Sequence, residues 1–91
     1  MFIVVSYDVR NDKKRNKIAN LMEDYGTRVQ YSVFECHLNQ KVFDRMVKDV
    51  LKYLQIEKDS LRIYKICEDC ISRIEVYGVG RVTEDEEVII I

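Results

Sequence analysis

The sequence of 91 residues has few of the residues that usually mark the ends of helices and strands. It contains no proline and only three glycines, so most element boundaries must rest on asparagine, aspartate or charge. No apolar run is long enough to cross a membrane, and no basic segment precedes an apolar core at the N-terminus, so we expect no secretory signal. These absences favour a single domain over residues 1–91 that works in the cytoplasm and has no membrane partner.

Three cysteines and one histidine limit the metal and redox chemistry of the chain. An odd number of cysteines does not indicate a disulfide framework, and three thiolates cannot complete an iron–sulfur cluster. Cys36, His37, Cys67 and Cys70 together match the ligand count of a structural zinc site. However, Cys36 and His37 are neighbours in an expected strand and would point to opposite faces. Whether Cys67 and Cys70 bind metal or form a disulfide stays open.

The formal net charge of −1 conceals two local concentrations of charge. Residues 8–17 carry five basic and two acidic side chains, and residues 84–87 are four consecutive acids. A basic segment can bind phosphate although the whole chain is nearly neutral, but a basic helix face is more often simply solvated. The charge pattern alone therefore leaves both interpretations open.

Apolar patterning in the first half predicts a strand, a helix and a second strand region. The β-branched run 2–7 is typical of a central strand that is buried on both faces. Asn11 or Asp12 would cap the helix, and Gly26 follows at a position where helices commonly stop. Residues 27–38 favour β-structure, either as one bent strand or as two short ones.

The second half begins with the clearest helical periodicity in the chain. Asn39 would cap this helix, whose apolar residues recur at spacings of three and four: Val42, Phe43, Met46, Val47, Val50, Leu51 and Leu54. Runs 61–66 and 71–77 predict two more strands, two glycines then bend the chain, and 88–91 is a last apolar run. Two helices that each return to a strand predict an α+β sandwich of ferredoxin-like type, with an antiparallel sheet and both helices on one face.

Four segments carry a resemblance to a known family: IVVSYDV, TRVQYSVFEC, SLRIYKI and VYGVG. In this order they resemble the CRISPR-associated protein two family, which works with the integrase, CRISPR-associated protein one, in acquiring spacers. The resemblance implies a homodimer, with a core over 1–78 and a dimerisation segment over 79–91. Four apolar side chains in a row would not stay in water, so we expect 88–91 to add a strand to the partner's sheet.

The resemblance implies two functions between which the sequence does not decide. One is a metal-dependent endonuclease that cuts RNA or DNA. The other is a non-catalytic dimeric scaffold that binds duplex DNA between integrase dimers. The same basic residues would contact phosphate in both cases, so composition and spacing fit either one.

The resemblance also assigns a catalytic position. Asp8 matches the family's metal-linked carboxylate at the end of the first strand, and Tyr7 matches the catalytic position before it. A two-fold axis would bring two Asp8 carboxylates together around Mg²⁺, or around Mn²⁺ as the alternative ion. Mg²⁺ suits such a site because it keeps several waters and needs few protein ligands. An aspartate at a strand end is also common simply as the start of a loop.

Further positions are expected to bind nucleic acid through its phosphates rather than its bases. They are Arg15, Lys17, Arg28 and Ser32, with Phe34 as a structural residue beside them. The family tends to carry arginine where Lys17 stands, so the charge is kept there and the bidentate fork is lost. From the residues alone, Arg28 is equally a solvated arginine, Ser32 a bend residue and Phe34 a core residue.

Overall fold

A computed structural model describes residues 1–85 and shows four strands and three helices in that part of the chain. The elements are β1 (Phe2–Asp8), α1 (Asp12–Met22), β2 (Thr27–Gln30), β3 (Val33–His37), α2 (Gln40–Leu51), β4 (Ser60–Ile66) and α3 (Glu68–Ile71). The strands form one antiparallel sheet in the order β2-β3-β1-β4. The run 88–91 and the strand addition predicted for it lie outside the described residues.

The side chains of β1 separate the two faces of this sheet, because successive residues of a strand point in opposite directions. Ile3, Val5 and Tyr7 are 0%, 0% and 3% exposed and pack in the core against α1 and α2. We call this side the helical face. Val4 and Ser6, which point the other way, are only half-buried, and Asp8 is exposed. We call that side the open face. The predicted ferredoxin-like sandwich is confirmed. The prediction that β1 is buried on both faces holds at Phe2, which is 3% exposed on the open face, and fails toward Asp8.

The two long helices begin where their capping residues stand. The side chain of Asn11 accepts a hydrogen bond from the Lys14 amide at 3.0 Å, so Asn11, rather than Asp12, caps α1. Asn39 caps α2 in the same way through the Val42 amide at 2.9 Å. These bonds satisfy amides that have no partner inside the helix.

Gly26 does not have the helix-ending role that the sequence indicated. Helix α1 ends at Met22, four residues earlier, and the backbone of Gly26 is not left-handed. A Cβ at this position would lie 2.5 Å from the Glu35 carbonyl oxygen and would also collide with the Cys36 sulfur. The position therefore requires glycine because β3 passes directly against it.

Residues 27–38 form two short strands, which resolves the alternative left open by the sequence. Tyr31 and Ser32 make the turn between β2 and β3, and the β2–β3 pairing is irregular between Arg28 and Gln30. Arg28 pairs with Phe34 across the two strands, so both lie on the helical face.

The strand predicted over 71–77 is wrong. Ile71 ends the short helix α3, and residues 74–77 belong to no strand within the described part of the chain. Two acidic residues in the first turn, Glu68 and Asp69, favour a helix start here because they complement its dipole. Beyond α3 the chain bends at Gly78 and Gly80, which have positive φ values of 89° and 127°.

The chain after α3 covers one end of the open face. The Nε2 of His37 donates to the Thr83 carbonyl at 2.8 Å, and the Thr83 amide donates to Glu35 Oε1 at 3.0 Å. The Phe2 ring packs against the His37 ring with centroids 4.8 Å apart. The covered end is therefore the end of the sheet away from Asp8. No helix among residues 1–85 has the length and apolar character to span a membrane.

Candidate metal and nucleic-acid site

Asp8 is the last residue of β1 and presents an exposed carboxylate on the open face. Its register partner on β4 is Ser60. Within the part of the chain that the structure describes, no three or more histidine, cysteine, aspartate or glutamate side chains lie together as a metal cluster. Asp8 is therefore not part of a ready-made cluster of three or more such ligands within residues 1–85.

On the helical face, two arginines come together around the turn between β2 and β3. Arg15 Nη1 donates to the Val9 carbonyl at 3.0 Å, and its Nη2 donates to the Asp12 carboxylate. The bond with Asp12 is also the main reason why the pKa of Arg15 lies above its ordinary value. Arg28 Nε donates to the Tyr31 carbonyl at 2.9 Å. We call Arg15, Arg28 and Tyr31 the arginine cluster.

Two aromatic rings lie below and beside the guanidinium of Arg28. Its central carbon is 5.3 Å from the centroid of the Tyr31 ring and 5.8 Å from that of Phe34. Tyr31 is 68% exposed, whereas Phe34 is fully buried. Phe34 is thus a core residue that also holds Arg28 in place through a cation–π contact.

Tyr7 lies beneath the same cluster, with its ring stacked on Phe34 at 6.3 Å between centroids. Its hydroxyl is buried and has no hydrogen-bond partner among residues 1–85. Burial raises the pKa of Tyr7, although nearby Arg28 opposes the shift. The structure therefore places Tyr7 and Asp8, which are neighbours in sequence, on opposite faces of the sheet.

Two other expected phosphate ligands do not join the arginine cluster through their side chains. The ammonium of Lys17 lies 5.6 Å from the centroid of the Tyr53 ring, beyond the end of α2. Ser32 contributes its backbone, because its carbonyl accepts the Tyr7 amide at 3.1 Å. Of the four residues, the structure brings only Arg15 and Arg28 together.

The cysteines do not assemble the zinc set that the sequence left open. Cys36 is buried on the helical face, where desolvation raises its pKa to about 11. Cys67 and Cys70 are exposed free thiols with their sulfur atoms 2.7 Å apart. The hydrogen bond between the two thiols lowers the pKa of Cys67 and raises that of Cys70.

Two residues of these surfaces were missed by sequence reasoning. In the sequence, Tyr31 could have been recognised because it is an aromatic residue three positions after Arg28. Arg62 lies opposite Ser6 in the β1–β4 register, which places it on the open face with Asp8. The alternation in SLRIYKI contains this signal, since Arg62 stands between the two half-buried apolar residues Leu61 and Ile63.

The fold and these surfaces define a class of small ferredoxin-like protein that carries a strand-end carboxylate on one face and arginines on the other. The family model for CRISPR associated protein Cas2 matches residues 1–74, and the chain belongs to this family. The resemblance seen in the sequence is thereby confirmed.

Curated relatives match nearly the whole chain. A protein of Synechocystis sp. named CRISPR-associated endoribonuclease Cas2 3 is 41% identical over 85 residues, which are 92% of each chain. A protein of Thermus thermophilus named CRISPR-associated endonuclease Cas2 2 is 40% identical over 84 residues, covering 92% of this chain and 89% of that one.

Solved structures share the fold. Streptococcus pyogenes Cas2 superposes with a TM-score of 0.76 at 32% identity, covering 86% of this chain and all of that one. A chain of a partial Cas6-RT-Cas1–Cas2 complex has a TM-score of 0.66 at 29% identity, with 82% of this chain and 88% of that chain covered.

Proposed function

We propose that this chain is a metal-dependent endonuclease of the spacer-acquisition stage, which hydrolyses phosphodiester bonds of RNA or DNA as a homodimer. The observation that carries the proposal is the position of Asp8. It is an exposed carboxylate at the end of a buried central strand, on the face of the sheet that the helices leave open. A second copy of the chain can approach it there.

The donor chemistry of Asp8 fits Mg²⁺ or Mn²⁺. A hard divalent ion takes carboxylate oxygens, and Mg²⁺ is commonly held by one or two carboxylates together with waters and substrate phosphates. Two copies related by a two-fold axis would supply two Asp8 side chains. When bound, such an ion polarises a phosphate and lowers the pKa of a bound water.

Other residues of this chain would bind the nucleic acid or support the residues that bind it. The arginine cluster binds the phosphate backbone, since Arg15 and Arg28 are already oriented by backbone carbonyls and by rings. Phosphate contacts of this kind position a nucleic acid without reading its sequence. Tyr7 packs beneath them and supports their geometry.

The names of the relatives support the reaction class. The Synechocystis relative is named an endoribonuclease and the Thermus thermophilus relative an endonuclease. Both names fit hydrolysis of a phosphodiester bond, in RNA for the first. We therefore propose the same bond as the target and keep both RNA and DNA as substrates.

A second function, that of a DNA-binding scaffold, is favoured by a separate observation. The arginine cluster consists of groups that would bind phosphates on the helical side of the sheet, whereas Asp8 points to the open face. The structural neighbour in a complex whose name includes Cas1 supports an integrase of this class, CRISPR-associated protein one, as the partner. Binding and bridging would then not require Asp8.

The homodimer of this proposal uses the open face and the segment 79–91. The link from Thr83 to Glu35 and His37 leads the chain across that face, and Gly78 and Gly80 allow the bends that this path needs.

The test of the nuclease is Asp8→Asn, which keeps the size of the side chain and removes its charge. Asp24→Asn, at an exposed position just beyond α1, is the matched control. Cleavage of RNA and of DNA is measured with Mg²⁺, with Mn²⁺ and with a chelator, and folding is followed by urea unfolding. We expect Asp8→Asn to abolish metal-dependent cleavage and to unfold at the same urea concentration as wild type.

Cleavage at the wild-type rate by folded Asp8→Asn protein would overturn Asp8 as the metal ligand of the nuclease. Spacer acquisition with the integrase partner is assayed in parallel. If Asp8→Asn stops cleavage and leaves acquisition intact, the scaffold is the function that matters in that process.

A further inference from the structure

The arginines of the arginine cluster and the carboxylate of Asp8 belong to different faces of the sheet. Arg15 and Arg28 belong to the helical face, where their guanidinium groups are tied to backbone carbonyls. Asp8 points to the open face. Within a single copy of the chain, both guanidinium groups of the arginine cluster are thus held by backbone on the helical side of the strand end, although Arg15 is bound to Val9, the residue next to Asp8.

The open face carries its own arginine beside Asp8. In the β1–β4 register, Asp8 pairs with Ser60 and Ser6 pairs with Arg62. Arg62 is therefore the diagonal neighbour of Asp8 on the same face, at a separation of about 7–8 Å that long side chains bridge. In a single copy of the chain Arg62 is exposed, and in the proposed homodimer it lies on the face where the two Asp8 carboxylates meet.

The surroundings of Arg62 leave its charge available. No ion pair joins Arg62 to an acidic side chain within residues 1–85. Its polar neighbour on the strand is Tyr64, whose hydroxyl raises the pKa of Arg62. The residues opposite Arg62 and Asp8 in the register are the small polar residues Ser6 and Ser60.

We infer that Arg62 binds the phosphate that is cut at Asp8, as a second charged residue of the site on the open face. This inference rests on the proposed nuclease function. Phosphate transfer needs a positive group where negative charge develops, and an arginine fork binds two phosphate oxygens at once. Arg62 then binds the phosphate that is cut, while the arginine cluster binds other phosphates of the same nucleic-acid strand.

The experiment compares Arg62→Ala and Arg62→Lys with Arg45→Ala, which removes the same charge from an exposed position on α2. Two quantities are measured for each variant. One is the single-turnover cleavage rate with Mg²⁺. The other is the affinity for a short oligonucleotide in chelator at several salt concentrations, which needs neither metal nor catalysis.

We expect Arg62→Ala to slow cleavage about 100-fold and to reduce the salt slope of binding by about 1, the value for one lost phosphate contact. Arg62→Lys should restore the salt slope and leave cleavage slow, because the charge returns without the fork. Arg45→Ala should behave as wild type in both measurements.

The inference is overturned if Arg62→Ala keeps the wild-type salt slope and cleavage rate while Asp8→Asn no longer cuts. It is also overturned if Arg62→Ala sediments as a monomer where the wild type is a dimer, because Arg62 would then be an interface residue. Cleavage by Asp8→Asn would instead overturn the role of Asp8 as metal ligand in the proposed nuclease, and the salt slope in chelator would still decide whether Arg62 binds phosphate.

Discussion

The helical face and the open face of the sheet hold their arginines in different ways. Arg15 is fixed by hydrogen bonds to the Val9 carbonyl and the Asp12 carboxylate. Arg28 is fixed by a hydrogen bond to the Tyr31 carbonyl and by contacts with the Tyr31 and Phe34 rings. On the open face, Arg62 and Asp8 are exposed side chains on neighbouring strands. A preorganised group binds with less loss of conformational freedom, whereas an exposed one adapts to its ligand. If the proposed function holds, we expect the arginine cluster to act mainly in binding and the open face mainly in cleavage.

The largest effect is expected when the Phe34 ring, which supports Arg28, is removed. Phe34 is fully buried and contacts both Tyr7 and Arg28. We expect Phe34→Ala to lower the free energy of unfolding by about 3–5 kcal/mol, because it leaves a cavity in the core. Urea unfolding of the purified protein measures this loss.

Phe43→Ala on α2 is the control for Phe34→Ala, since the Phe43 ring is only half-buried. Its loss should be the smaller of the two. If both variants lose the same stability, Phe34 has no special place in the core and its role as the support of Arg28 would have to be abandoned.

A smaller effect, on oligonucleotide binding, should distinguish Arg28 from Lys17, which the sequence analysis assigned the same role. Arg28 belongs to the cluster, whereas the ammonium of Lys17 lies over Tyr53. We expect Arg28→Ala to weaken oligonucleotide binding about tenfold, with a salt slope lower by about 1. Lys17→Ala should change both less. Fluorescence anisotropy at several salt concentrations provides the measurement, and equal losses in the two variants would contradict a localised cluster.

The smallest expected effect concerns Tyr7. Its buried hydroxyl has no partner within residues 1–85, so Tyr7→Phe should change the free energy of unfolding by no more than about 1 kcal/mol. Because the phenol faces away from Asp8, we also expect an unchanged cleavage rate. A strongly reduced rate in a fully stable Tyr7→Phe protein would show that the phenol takes part in the reaction.

The general fold could be predicted because periodicity is a local property of the sequence. The apolar spacing of α2 and the caps at Asn11 and Asn39 specify helices with little help from the rest of the chain. The strand expected at 71–77 failed because a run of mixed apolar and charged residues fits either period. The acidic residues at 68 and 69 favour the short helix that ends at Ile71, and residues 72–77 form neither helix nor strand.

The arrangement of the site was harder to predict for a physical reason. Alternation along a strand shows that Tyr7 and Asp8 point in opposite directions, but it does not show which direction the helices cover. That depends on how α1 and α2 pack on the sheet. The pairing of Ser6 with Arg62 likewise joins residues 56 positions apart, and no local pattern specifies such a register.

The three cysteines differ enough for selective chemical labelling of the natural sequence. Thiol reagents attack the thiolate form. Cys36 is buried with a pKa of about 11, whereas Cys67 is exposed and its pKa is lowered by Cys70. A maleimide dye at neutral pH would therefore attach just after β4, at the start of the segment that leads to the C-terminus. The chain thus carries its own position for a fluorescent reporter, from which energy transfer between two copies can follow their assembly without an introduced cysteine.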